Sequence, residues 1–317
     1  MRIKPVKNAI LFLCLLFSGC DILSSDHSTV SSPTAPTPVP SPTPAPIPSD
    51  PNLPKFIKGT DGMPVIGVEV TIVDKKFITD QNGQIQTQLA AESLVEARHT
   101  SFILRQTTYK NSLIFTLWPS DATDANYIQY LVYNNSTSAK LSRPTTEVIR
   151  PVLSAEINQD IESVSNIDRA GELIRTATQG KITIDQRSAS AQALNVPLTI
   201  NALDEAIVSS NAAAVAKITY VGNTIIRGEI VLKELRYART TVLLHELGHI
   251  LGLNHSIDVQ DVMAPVVSSQ RDFSNREKIV LTMLFLRLPG NQQPDNDVAM
   301  LSAFNNQSSL TRTRIIP

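Results

Sequence analysis

Residues 240–251 read TTVLLHELGHIL. As a helix, this stretch places Val242, Leu243, Leu244, Leu247, Ile250 and Leu251 around most of its circumference, and a helix apolar on nearly all sides has to be buried. His245 and His249 are four residues apart and stack on one face, with Glu246 beside the first. Three polar side chains in a buried helix are costly unless something compensates them. Any fold this chain adopts must close around the helix and satisfy those groups. A bound zinc ion is the economical compensation.

Glycine at 252 predicts the end of the helix, because it tolerates the left-handed conformation that a sharp C-terminal turn requires. Such a turn redirects the chain so that His255 can reach the same metal. Three of the five histidines in the chain fall between 245 and 255. Three neutral imidazoles leave the fourth tetrahedral position to water, the open geometry of a catalytic zinc site. A structural site would favour cysteines, and none is near. Glu246 is placed to take a proton from that water, which makes it the candidate catalytic base beside the ligands His245, His249 and His255.

The pattern HELGHILGLNH, HExxHxxGxxH in general form, resembles the metzincin clan of zinc peptidases. Met263 in DVMAP follows His255 by eight residues, which looks most like the matrixin branch and implies a methionine turn beneath the zinc. The resemblance implies an α+β catalytic domain over 121–290, with a mixed sheet and an active-site helix. It also implies a zinc-dependent endopeptidase whose partners are protein or peptide substrates. By the same resemblance, TIIRGEIVL would be the edge strand that pairs with an extended substrate, and Pro265 and Val266 would help wall a pocket. The chain departs from the family in several ways. Only His27 and His99 remain for a second zinc, so one catalytic ion is expected. No calcium loop is legible, and latency through a propeptide cysteine cannot operate.

The rest of the chain reads as a delivery system. Arg2, Lys4 and Lys7 precede the apolar run Ala9–Phe17, and LFSGC follows. Residues 1–19 read as a secretion signal, and the small pair before Cys20 resembles a bacterial lipobox, which implies lipidation of Cys20. Only Cys14 and Cys20 exist, so a lone mature thiol fits acylation and excludes a disulfide. Ten prolines between Pro33 and Pro54 favour extended polyproline geometry with a reach of roughly 70 Å, making 20–54 a lipid anchor and tether. The expected location is the bacterial cell envelope, extracytoplasmic and held to a membrane by lipid. Removing 1–19 takes away three bases and no acids, leaving 25 basic against 29 acidic residues. That balance, with no basic block, argues against nucleic acid as a partner.

Residues 55–120 alternate as short strands with an Asn-Gly turn. Within them the pattern PVIGVEVTIVDKKFITDQNGQ resembles a carboxypeptidase-regulatory-like β-sandwich over about thirty residues, which makes 55–120 an expected accessory domain preceding the catalytic one. From Ala155 a helical stripe runs through Ile157, Ile161, Val164, Ile167 and Ile174, with Ser154 as N-cap and Gly180 as stop. SNRE at 274–277 reads as a capping box. Residues 291–317 read as a polar tail without a role. Rival functions are a different zinc hydrolase such as a cell-wall amidase, a gluzincin-type peptidase with a downstream glutamate ligand, and a non-catalytic zinc-containing lipoprotein that binds a surface ligand. An intact Glu246 speaks against the non-catalytic reading, and Gly252 with His255 against the gluzincin one.

Overall fold

The computed structural model describes residues 48–121, 125–134, 140–184, 198–202, 212–266, 269–292, 295–297 and 311–316. The leader, Cys20 and the tract 20–47 lie outside the described residues. Contacts divide the chain into Met1–Pro46 and Ile47–Pro317, and every described residue belongs to the second unit. Among these residues no helix is long and apolar enough to cross a membrane.

The first strands are β1 (Lys55–Lys58), β2 (Glu69–Ile72), β3 (Lys75–Ile78), β4 (Leu94–Arg98), β5 (Arg105–Thr108) and β6 (Ile114–Leu117). They form an antiparallel sheet in the order β3-β2-β4-β5 and a parallel pair β1-β6. Both contribute to one apolar cluster that includes Phe56, Val70, Val95, Phe115 and Leu117. The Asp-Gln-Asn-Gly turn forms as its residue types require. Gly83 takes φ +70°, and Asp80 accepts from the backbone N–H groups of Asn82 and Gln84.

The remaining elements are α1 (Ala125–Leu131), β7 (Arg143–Pro144), β8 (Val148–Ile149), β9 (Pro151–Leu153), α2 (Ala155–Gln159), α3 (Ile161–Ala177), β10 (Thr183–Ile184), β11 (Leu198–Ala202), β12 (Ala214–Val221), β13 (Thr224–Leu232), α4 (Thr240–Leu251), α5 (Asn275–Leu286) and β14 (Thr311–Ile316). The main sheet runs β14-β12-β13-β11-β9, with β7 paired to the start of β13. β12 and β14 are antiparallel to their neighbours, whereas β9, β11 and β13 run parallel. α3 and α4 pack together, and α4 lies against β12 and β13. Gly228 in β13 makes that approach possible, since a Cβ there would meet Ile250 at 2.8 Å.

Four details differ from the sequence expectations. The stripe from Ala155 is broken at Asp160, which caps α3 by accepting from Ser163 N–H at 2.9 Å. Ile161 consequently faces solvent at 85% exposure rather than joining the core. TIIRGEIVL is not an edge strand. β13 sits between β11 and β12, because the turn at Gly222, with φ +58°, folds β12 back along its other side. The burial of Ile230, Val231 and Leu232, side chains from both faces, fits that interior position.

The segment 291–317, read as a polar tail, also contributes structure. Asn291, Asp295 and Asp297 are buried, and β14 pairs along β12. Arg287 donates to both oxygens of Asp295 at 2.7 Å and to the Thr116 carbonyl at 2.8 Å. Arg105 from β5 pairs with Asp295 and Asp297, and Tyr133 O–H donates to Asn291. This buried network ties the first sheets to the end of α5. Its charges are paired on every side, as burial demands.

Candidate active site

α4 begins where the sequence places it, and every residue from Val242 to Leu251 is buried. Its six large aliphatic side chains contribute on the order of 10 kcal/mol of apolar burial, enough to carry the polar groups inside with them. Gly252 ends the helix at φ +110°. Its N–H donates to the His249 carbonyl at 2.9 Å, and Leu253 N–H reaches back to Gly248 at 3.0 Å. The turn is tight for a second reason. A Cβ at position 252 would lie 1.9 Å from the Ser142 carbonyl oxygen.

That turn delivers His255 to the other two histidines. One ligating nitrogen from each of His245, His249 and His255 can be chosen so that all lie within 4.8 Å of one another. Ring centroids stand 4.7 Å (His245–His249), 5.4 Å (His245–His255) and 4.9 Å (His249–His255) apart. His245 Nδ1 donates to the Val262 carbonyl at 2.7 Å, and His249 Nδ1 donates to the Leu253 carbonyl at 2.9 Å. Carbonyl oxygens only accept, so each of these rings carries its proton on Nδ1. Their Nε2 atoms then present lone pairs to each other at 3.0 Å. Burial, the largest cause, pushes His245 down to about 4 and His249 well below the usual imidazole range, so both rings stay neutral. Two neutral imidazoles aimed lone pair to lone pair are unfavourable alone and suited to a cation between them. Tetrahedral ligands of zinc at about 2.0–2.1 Å stand about 3.3 Å apart, so the donor set fits zinc.

Glu246 lies 4% exposed, and its Oε2 is buried with no hydrogen-bond partner among the described residues. Burial pushes this carboxyl up to about 8. Met263 is fully buried beneath the helix, at a place where Gly248 leaves room. A Cβ at Gly248 would meet the Met263 sulfur at 2.4 Å. Pro265 and Val266 lie exposed just beyond it. His99 stands apart in the first sheets, against the Phe102 ring.

Sequence alone did not reveal how the loop after the histidine cluster is held. Glu277, identified as the N3 member of a capping box, does form that box with Ser274. The same carboxylate also accepts from Met263 N–H at 2.8 Å and from Val262 N–H at 3.3 Å. Val262 in turn holds His245 through its carbonyl, so Glu277 orients a candidate ligand at one remove. Burial pushes the Glu277 carboxyl up to about 7 against the lowering effect of the backbone donors. Asp261 accepts from Tyr127 and Ser256, and Asn254 N–H donates to the Leu131 carbonyl at 2.7 Å. An acid at the N3 position of the helix that follows the loop, in SNRE, was the available signal for Glu277. Tyr127, more than a hundred residues away in sequence, offered none.

The matrixin family model matches residues 167–279. The matched segment runs from within α3 into α5 and contains all three histidines, Glu246 and Met263. Taken with the three-histidine cluster, the match supports a zinc metallopeptidase. A comparison with curated proteins found none that matches.

Proposed function

We propose that the chain is a zinc-dependent endopeptidase acting on extracytoplasmic proteins, with Glu246 as its general base. The observation that carries this reading is the partnerless Oε2 of Glu246, buried on α4 one residue after His245 of the histidine cluster. No hydrogen bond among the described residues uses that oxygen, and burying it unpaired is costly. Fold stability alone gives no reason to keep it. His245, His249 and His255 would hold zinc, which when bound supplies Lewis acidity toward a carbonyl oxygen and lowers the pKa of water. Glu246 accepts a proton from the attacking water and passes it to the leaving amine. A cation at the histidines would draw the Glu246 carboxyl back down from its raised value, restoring its basic form at neutral pH. The low pKa values of His245 and His249 keep these rings in the ligating form. Delivery follows from the leader: Cys20 carries a lipid, residues 20–54 tether the chain at the envelope, and residues 55–120 serve as an accessory β-domain.

The test is cleavage of a mixed peptide library by the zinc-loaded full chain and by Glu246→Gln. Equal zinc in both with a loss of roughly 10²–10⁴ in rate for the variant is the expected result. Zinc in both and cleavage in neither favours the non-catalytic scaffold. Absence of zinc from both sinks the proposal.

A further inference from the structure

β12 is the outermost of the contiguous strands of the catalytic sheet, and its free side is taken by β14. The two pair antiparallel over six residues, from Ala216 opposite Ile316 to Val221 opposite Thr311. Alternation fixes what each side chain faces. Ala216, Ile218 and Tyr220 belong to the core on the α4 side, so Ile316 and Arg314, opposite Ala216 and Ile218, face α4 as well. Arg314 Nη1 donates to Asn254 Oδ1 at 2.7 Å, one residue before His255. A cavity of about 340 Å³ is lined by Ile218, Arg314 and Ile316 together with His249 and Asn254. The inward side chains of β14 thus share a cavity with one of the three metal-site histidines.

β14 is also lightly held. Of its described side chains only Ile316 joins the core, while Ile315 is 54% exposed. β12 by contrast buries Ala214, Val215, Ala216 and Ile218. A strand bound mainly by its backbone ladder is what an incoming extended peptide can replace, since peptides add to sheet edges through the same ladder.

We propose that β14 is an autoinhibitory strap. It occupies the edge of β12 beside the histidine centre, along which an extended peptide substrate would lie, and it must swing away or be cut off before the substrate can bind. The inference rests on the peptidase reading above. A tethered strand competes at an effective concentration of order 1 mM. If the free strand binds with a Kd of about 0.1 mM, substrate capture is suppressed roughly tenfold.

The test uses the zinc-loaded full chain, a variant lacking residues 311–317, and a variant carrying Thr219→Cys with Thr313→Cys. These two threonines face each other with hydroxyls 3.4 Å apart, so cysteines there can lock the strap to β12. The substrate is a quenched fluorescent unfolded protein, and a labelled TRTRIIP peptide reports strand binding independently of cleavage. Three results are expected. Deletion raises kcat/KM about tenfold at equal zinc content. The oxidised cysteine variant is at least tenfold slower than the same protein after phosphine reduction. The labelled peptide binds the deletion variant and slows it competitively. Equal, measurable cleavage rates for locked and reduced forms, or failure of the labelled peptide to bind, overturn the strap. Should the deletion variant not fold, the locked and reduced pair decides alone. If no form cleaves but the labelled peptide binds and unfolded substrate displaces it, the strap stands as a competitor for the strand site and the peptidase reading falls.

Discussion

Gly252→Ala isolates the turn on which the candidate metal site depends. Two separate penalties meet at this position. At φ +110° an L-residue is strained, which costs about 1–2 kcal/mol. The new Cβ would also sit 1.9 Å from the Ser142 carbonyl oxygen, backbone that cannot rotate aside as a side chain would, and overpacking of this kind adds about 1–3 kcal/mol. Gly180 provides the control, because it holds φ +77° with nothing within 4 Å of the place a methyl group would take. Gly180→Ala should therefore show only the conformational penalty, about 1 kcal/mol, partly offset by the stiffer unfolded chain. Gly252→Ala should lose about 3 kcal/mol in urea unfolding with chelator present. It should also lose roughly 10–100-fold in zinc affinity by competition titration, as expected when a ligand's support is displaced, because His255 follows three residues later. Equal losses of stability in the two variants, with zinc affinity intact in both, would refute the argument that close packing against Ser142 sets the path to His255.

Glu277→Gln replaces one acceptor oxygen with an amide that faces backbone N–H groups. It should cost about 2 kcal/mol and weaken zinc binding about tenfold; unchanged affinity would mean the Val262 link does not orient His245. Asp295→Ala leaves Arg287 buried without its acidic partner and should cost about 3 kcal/mol in urea unfolding. Burial alone would raise the Asp295 carboxyl, but Arg105 and Arg287 hold it below the ordinary value of 3.8. An acid depressed in the folded state contributes its full stability above that value, and the contribution is lost as pH falls through the folded pKa. Wild type should therefore lose stability more steeply than Asp295→Asn on acidification below about pH 4. Chelation of zinc at a thousandfold excess over Kd should remove about 4 kcal/mol of stabilisation, read as a fall in Tm that added zinc reverses.

The local elements were legible because they depend on short-range chemistry. TTVLLHELGHIL has one sensible conformation: its apolar residues demand burial, its histidines share a face by the helical repeat, and Gly252 supplies the only residue type that takes the turn without strain. The Ser274 capping box and the turn at Gly83 were readable for the same reason, each being a side chain that satisfies backbone groups within four residues. The helix from Ala155 was only half readable, since Asp160 could serve as an interior residue or as a cap until packing chose. Strand order was not legible at all. Nothing within TIIRGEIVL states whether another strand lies on one side of it or on both. That was decided by the fold-back of β12 and by pairing with β11, contacts made across tens of residues. The partners of Asp261, Glu277 and Asp295, and the approach of Arg314 to Asn254, belong to the same class. By itself the sequence singled out His245, His249 and His255 as candidate metal ligands and Glu246 as the candidate base, because spacing along one helix and one turn decides which side chains can meet. Only the tertiary structure decided what holds those residues in place and what lies across the edge of the sheet, because both arise from contacts between segments that share no local periodicity.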